Sequence, residues 1–209
     1  MIYPAERLVY WYFRLNGFLT TENFIVHPDR GREQQTDADL LAVRMVHRAE
    51  NLVFQMEDDP RVAACSSFCN VIIAEVKTGR CALNGPWTDP GRMNMERVLR
   101  AIGCVEGQHL SQAATCLYEN GSWQNESVSV RLFAIGQTKS ELVIPGEQQL
   151  TWGEIIKFFV QRFRDYKPQK SSVGQWTADG KKLQRLALKS DAEAIRALFL
   201  LPKGDAAYD

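Results

Sequence analysis

Cysteine is scarce in this chain and odd in number. Five thiols among 209 residues are too few for a disulfide scaffold and fit a reducing, cytoplasmic setting. Cys65 and Cys69 have the spacing of a zinc half-site, but Cys81, Cys104 and Cys116 supply no matching pair. Buried free thiols are therefore expected rather than zinc. Long apolar runs are also missing, and even Val71 to Val76 is interrupted by Glu75, so no membrane span is expected. The first residues lack the basic, apolar and cleavage-site order of a secretory signal. Net charge is absent: 25 Lys and Arg balance 25 Asp and Glu, which is no profile for a protein that coats nucleic acid. Any contact with a polyanion must come from local patches or from a partner. No glycine-rich phosphate loop is present, which argues against a nucleotide-driven function. His27, His47 and His109 are scattered, and no Ser or Cys sits in a nucleophile elbow.

What the chain does contain is charge inside two apolar runs. The first run is Thr36-Asp37-Ala38-Asp39-Leu40-Leu41-Ala42-Val43-Arg44-Met45, and the second is Asn70-Val71-Ile72-Ile73-Ala74-Glu75-Val76-Lys77-Thr78-Gly79. Both are short, aliphatic and bounded by polar residues or Gly, as core strands are. Side chains alternate along a strand, so Glu75 and Lys77 share one face, and Asp37 shares a face with Asp39. A carboxylate kept in such a place needs a partner or a metal ion. Hard oxygen ligands of this kind suit Mg²⁺ or Mn²⁺.

An acidic residue on one strand and Glu-x-Lys on the next, after an amphipathic helix, resembles the PD-(D/E)XK nuclease superfamily. The resemblance covers about the first half of the chain. It implies a restriction-endonuclease-like α/β fold, a central mixed sheet flanked by helices. It implies Asp39 and Glu75 as ligands of Mg²⁺ (or Mn²⁺), and Lys77 as the group that orients the attacking water and offsets charge on phosphate. Glu6, on the first helix, matches an acidic residue many members carry there, and Asp37 is a secondary candidate. Ala38 stands where the motif's Pro would be, and the connection from Val46 to Asn70 is long for a hairpin. The implied activity is metal-dependent hydrolysis of phosphodiester bonds in nucleic acid, DNA rather than RNA. The alternative is a nuclease-like binding or assembly subunit without cleavage; a third possibility is a structural domain with coincidental charges. A homodimer or a protein partner is compatible with either nuclease-like reading.

Length and composition fit one domain over residues 1–209, with 46–69 as an insertion between core strands and 167–209 as a C-terminal helical extension. Pro4 opens a helix to about Leu15, with Leu8, Trp11, Tyr12 and Leu15 on one face and Asn16-Gly17 as its stop. A strand from Phe18 to Val26 precedes the Asp39 strand. Asn84 to Pro90 reads as turn chemistry, capping a helix from Pro90 to Ile102 that Gly103 ends. Further helices are expected over 110–118, 152–166 and 181–200, with a strand over 128–135. Candidate phosphate contacts are Asn94, Arg97 and Arg100, with Arg92 nearby; further basic groups are Lys157, Arg162, Arg164, Lys167 and Lys170, then Lys181, Lys182, Arg185 and Lys189. Trp11, Trp123, Trp152 and Trp176 are expected in the core, and Trp87 at the mouth of a cleft.

Overall fold

The apolar runs become the strands of a six-stranded mixed sheet, seen in a computed structural model that describes residues 2–27, 36–49, 56–63, 67–141, 144–171 and 177–202. Strands β1 (Leu19–Val26), β2 (Thr36–Arg44) and β3 (Cys69–Val76) form an antiparallel meander. β3 then pairs in parallel with β5 (Val128–Gly136), from Cys69 opposite Val128 to Val76 opposite Ile135. Two short strands, β4 (Ser122–Gln124) and β6 (Gln149–Thr151), line the far side of β5. The long connection after Val46 does not prevent β2 and β3 from pairing, Leu40 to Arg44 against Ala74 to Asn70.

Helices cover both faces, because both faces of β3 and β5 are apolar. On one side α1 (Ala5–Leu15), α6 (Trp152–Asp165), α8 (Ala178–Leu188) and α9 (Ala192–Leu198) pack on Leu40, Ala42, Ile72, Ala74, Val76, Phe133 and Ile135. On the other, α3 (Gly85–Thr88), α4 (Asn94–Ile102) and α5 (Leu110–Asn120) pack on Leu41, Val71, Ile73, Val130, Leu132 and Ala134. The short helices α2 (Pro60–Ala63) and α7 (Lys167–Ser171) lie in the 46–69 and 167–209 segments. No helix among the described residues is long and apolar enough to cross a membrane.

The expected helix face of α1 is buried as read: Leu8, Trp11, Tyr12 and Leu15 are all at most 4% exposed. Gly17 then takes φ +81°, a conformation that lets the chain reverse into β1. α6 starts at a capping box in which Thr151 and Glu154 satisfy each other's backbone groups. Two expected helices are broken. The one read from Pro90 is a 3₁₀ turn, Pro90–Arg92, followed by left-handed Met93 and then α4. The region 181–200 splits into α8 and α9 at Ser190, also left-handed. Neither break carries the glycine that usually marks one, so the pattern of apolar residues runs through both. Asn84 to Pro90, read as a turn, contains α3. Trp11, Trp87, Trp123 and Trp152 are buried; Trp176 and Cys65 lie outside the described residues. Cys69, Cys81, Cys104 and Cys116 are free thiols, with Cys81 buried and the other three partly so.

Buried charge fastens the peripheral segments. The acidic stretch Glu57-Asp58-Asp59 anchors the described part of the 46–69 segment. Asp58 accepts from Arg44 at 2.7 Å, Arg162 at 3.2 Å and Arg48 at 3.4 Å. Asp59 pairs with Arg61 at 2.6 Å, and its backbone N–H donates to Asn16 at 2.7 Å. At the other end of α1, Asp179 of α8 accepts from Arg7 Nε at 2.5 Å, from Trp11 Nε1 at 2.7 Å, and from Thr177. These donors outweigh the effect of burial and hold the Asp179 carboxyl at about 2, below the ordinary 3.8. The folded state thus holds that proton more weakly than the unfolded chain, and the stabilisation is present above the ordinary value and lost as pH falls toward 2. Asp179→Asn should cost about 2 kcal/mol at pH 7, and the gap to the wild type should close between pH 4 and pH 2. Urea denaturation across that range tests this; a gap independent of pH would contradict it.

Candidate metal and phosphodiester site

Asp39 and Glu75 meet where β2 and β3 part. The last antiparallel pair is Leu40 with Ala74, and the next residue on each strand is one of the two carboxylates. Asp39 takes over from the ladder: its Oδ2 accepts the Val76 backbone N–H at 2.7 Å. A side chain thereby satisfies a donor that the departing strand would leave orphaned. On the other side of β2, Asp39 lies opposite Asn23, between the Glu22–Leu40 and Phe24–Ala38 pairs, and Asn23 has φ +51°. Asn tolerates that left-handed conformation better than most residues do. Regular pairing is therefore interrupted on both flanks of Asp39.

Lys77 follows directly. β3 keeps hold of β5 beyond its last regular residue, with Lys77 N–H donating to Ile135 O at 2.8 Å and Gln137 N–H to Gly79 O at 2.5 Å. This approach requires Gly136, since a Cβ there would sit 2.5 Å from Gly79 O. The Lys77 ammonium pairs with Glu75 Oε1. Glu75 Oε2 accepts from the Trp87 indole N–H at 2.9 Å. Trp87 is 2% exposed, so it is not at a cleft mouth as its turn-like context implies; it is a core residue that grips the site. That partnership was illegible in sequence, because nothing in Asn84 to Pro90 announces α3.

Electrostatics couple the pair. Burial pushes the Glu75 carboxyl above its ordinary value, and Asp39 adds to the rise against the opposing donors Lys77 and Trp87. Burial raises Asp39 as well, with Asp37 adding, while Val76 N–H and Lys77 pull it down. The Asp39 Oδ1 atom takes no hydrogen bond from any described residue. The donor set, two carboxylates and only oxygens, fits Mg²⁺ or Mn²⁺, which commonly bind through one or two carboxylates and complete their shells with water and phosphate. No group of three or more His, Cys, Asp or Glu suited to a metal occurs among the described residues.

The remaining candidates are not gathered. Glu6 lies on α1, which covers the Leu40, Ala74 and Val76 face, whereas Glu75 alternates with Ala74 and Val76 and points to the layer that holds Trp87. No hydrogen bond or ion pair among the described residues links Glu6 to Asp39 or Glu75. Asp37 is exposed. Asn94 is 3% exposed and turned inward with Met95, Val98 and Leu99, which removes it from any phosphate-facing row. Arg97 and Arg100 are exposed, and Arg97 donates to Arg92 O at 3.0 Å. Arg162 and Lys170, read as surface charge, are buried. A cavity of about 760 Å³ lies toward the other end of β5, lined by Arg61, Gln112, Trp123, Ser129 and Arg131, away from the carboxylates.

Because the folded protein holds the Asp39 and Glu75 protons more tightly than the unfolded chain, the ionised pair costs stability above the raised values and none below the ordinary ones. Asp39→Asn keeps an acceptor for Val76 N–H and removes one charge. In metal-free buffer it should raise the denaturation midpoint at pH 8, with the advantage shrinking to nothing as pH falls below the ordinary aspartate value of 3.8. A lower midpoint than the wild type at pH 8 would show that the charge itself stabilises this end of the sheet.

Comparisons with protein-family models, curated proteins and solved structures find no match to this chain, so its function is read from the site itself.

Proposed function

We propose that the chain is a metal-dependent nuclease of the PD-(D/E)XK type with a restriction-endonuclease-like fold, hydrolysing phosphodiester bonds in nucleic acid, DNA in preference to RNA. One observation carries the reading: two carboxylates with raised proton affinity stand side by side where two strands part, with a lysine ammonium on one of them. The order of a helix, the Asp39 strand and the Glu-x-Lys strand agrees with the resemblance.

Asp39 and Glu75 would hold Mg²⁺ or Mn²⁺. Lewis acidity toward a phosphate oxygen and a bound water of lowered pKa are what such an ion supplies. Asp39 contributes Oδ1, while its Oδ2 stays on Val76 N–H and fixes the carboxylate plane. Lys77 has a side chain 29% exposed, and its ammonium can turn from Glu75 to hold the attacking water and offset negative charge on the phosphate. Burial of Glu75, at a residue where β3 stays paired with β5, limits its motion, which favours a preorganised site.

A second reading has an observation of its own. Both Glu75 oxygens already accept hydrogen bonds, from Lys77 and Trp87, and a carboxylate satisfied in this way can be purely structural. The chain would then be a binding or assembly subunit. Strand scission separates the two. Asp39→Asn and Glu75→Gln should each abolish Mg²⁺-dependent cleavage of plasmid DNA while the circular dichroism spectrum stays that of the wild type. Lys77→Ala should lower kcat by roughly 10²- to 10³-fold and leave metal affinity largely intact. Full activity in either carboxylate variant sinks the assignment, and metal binding without scission in the wild type favours the second reading.

The grip on substrate has to come from few charges, since the protein is neutral overall. Arg97 and Arg100 are exposed on α4, in the layer toward which Glu75 points. Arg97→Ala or Arg100→Ala should reduce the slope of log affinity against log salt by about 1 each and spare Mn²⁺ binding. An unchanged slope in both would mean that this face is only solvated.

A further inference from the structure

We infer that Trp87 is a positioning residue that keeps Glu75 in the orientation a metal ion requires, an inference that rests on the nuclease reading above. Glu75 is 4% exposed and held by two donors of different kinds. Lys77 brings a rotatable ammonium on a flexible four-carbon stem, part of it in solvent. Such a donor can leave for a water or a phosphate oxygen. Trp87 brings one N–H on a rigid ring that does not titrate, and the ring is 2% exposed. A donor of this kind stays where its packing puts it.

The packing behind Trp87 is specific. Its backbone N–H donates to Asn84 O at 2.9 Å, which closes the turn of α3. Tyr118 of α5 accepts the Met95 N–H at 3.1 Å and donates to Pro86 O at 3.5 Å, so one phenol ties α3 to the start of α4. The helix that carries the indole is thus tied to α4 and α5 through groups other than Lys77. A carboxylate oxygen has two lone pairs, so Oε2 can keep the indole and still face an ion. With Lys77 turned to a substrate, Oε1 would be free to hold the ion, and the Trp87 hydrogen bond would remain to keep the carboxylate from rotating. Lys77 is the exchangeable partner of Glu75 and Trp87 the permanent one.

Mn²⁺ affinity measured by calorimetry on the full chain tests this division. Hydrogen bonds that orient metal ligands are worth roughly 10- to 100-fold in affinity. Trp87→Phe retains an aromatic ring and removes the donor, and it should weaken Mn²⁺ binding by about tenfold or more while the far-ultraviolet spectrum remains native. Lys77→Met should not weaken it. Equal affinity in Trp87→Phe and wild type overturns the inference and leaves the nuclease reading standing. A wild type that binds no Mn²⁺ overturns both. If Trp87→Phe does not fold, wild-type protein with ¹⁵N-labelled indoles serves instead. The indole resonance that moves in Glu75→Gln should be the first that substoichiometric Mn²⁺ broadens, and its indifference to Mn²⁺ would overturn the inference.

Discussion

The parallel pairing of β3 with β5 governs the rest of the structure. It puts β3 between two strands, one antiparallel and one parallel, and between two helical layers. A strand enclosed in this way has to be apolar on both faces, which is why Val71 to Ala74 is an unbroken aliphatic run. It also makes any charge on β3 expensive, and Glu75 is carried at its far end, where β2 has begun to leave. The buried ladder supplies rigidity, and the parting strands supply the polar opening. A site at such a place inherits both.

Much of this was legible in the sequence because it depends on alternation and on apolar runs. The faces of α1, β2 and β3, the start of α6 at Thr151 and the stop at Gly103 all follow from local patterns. Trp87 was legible as an aromatic after a turn but not as the partner of Glu75, since that contact depends on how α3 folds back over β3. Asn94 is three residues from Arg97 but four from Val98, and on α4 it joins the buried arc of Met95, Val98 and Leu99 rather than the exposed row of Arg97 and Arg100. Left-handed Met93 sets the start of that helix at Asn94. No propensity rule expects a methionine there.

The neutral balance of charge has a structural meaning as well. Arg44, Arg61, Arg162, Asp58, Asp59 and Asp179 are internal fasteners rather than surface. Buried pairs of this sort add little net stability over apolar packing, but removing one partner leaves a desolvated charge behind. They therefore fix which segment docks where. In the 56–63 stretch they act together with the buried side chains of Met56 and Val62.

The clamp of Asp179 on Arg7 and Trp11 joins residues 172 and 168 positions apart. A ribosome makes the first helix early and the residues that complete its surroundings late. At synthesis rates of roughly 5–20 residues per second, α1 must wait on the order of ten seconds or more for its final partner. During that interval the aromatic face of α1, with Trp11, Tyr12 and Phe13, has only part of its eventual cover. The cover of α1 is thus completed in time as well as in space by residue 179, and the order of synthesis makes the two ends of the chain meet last.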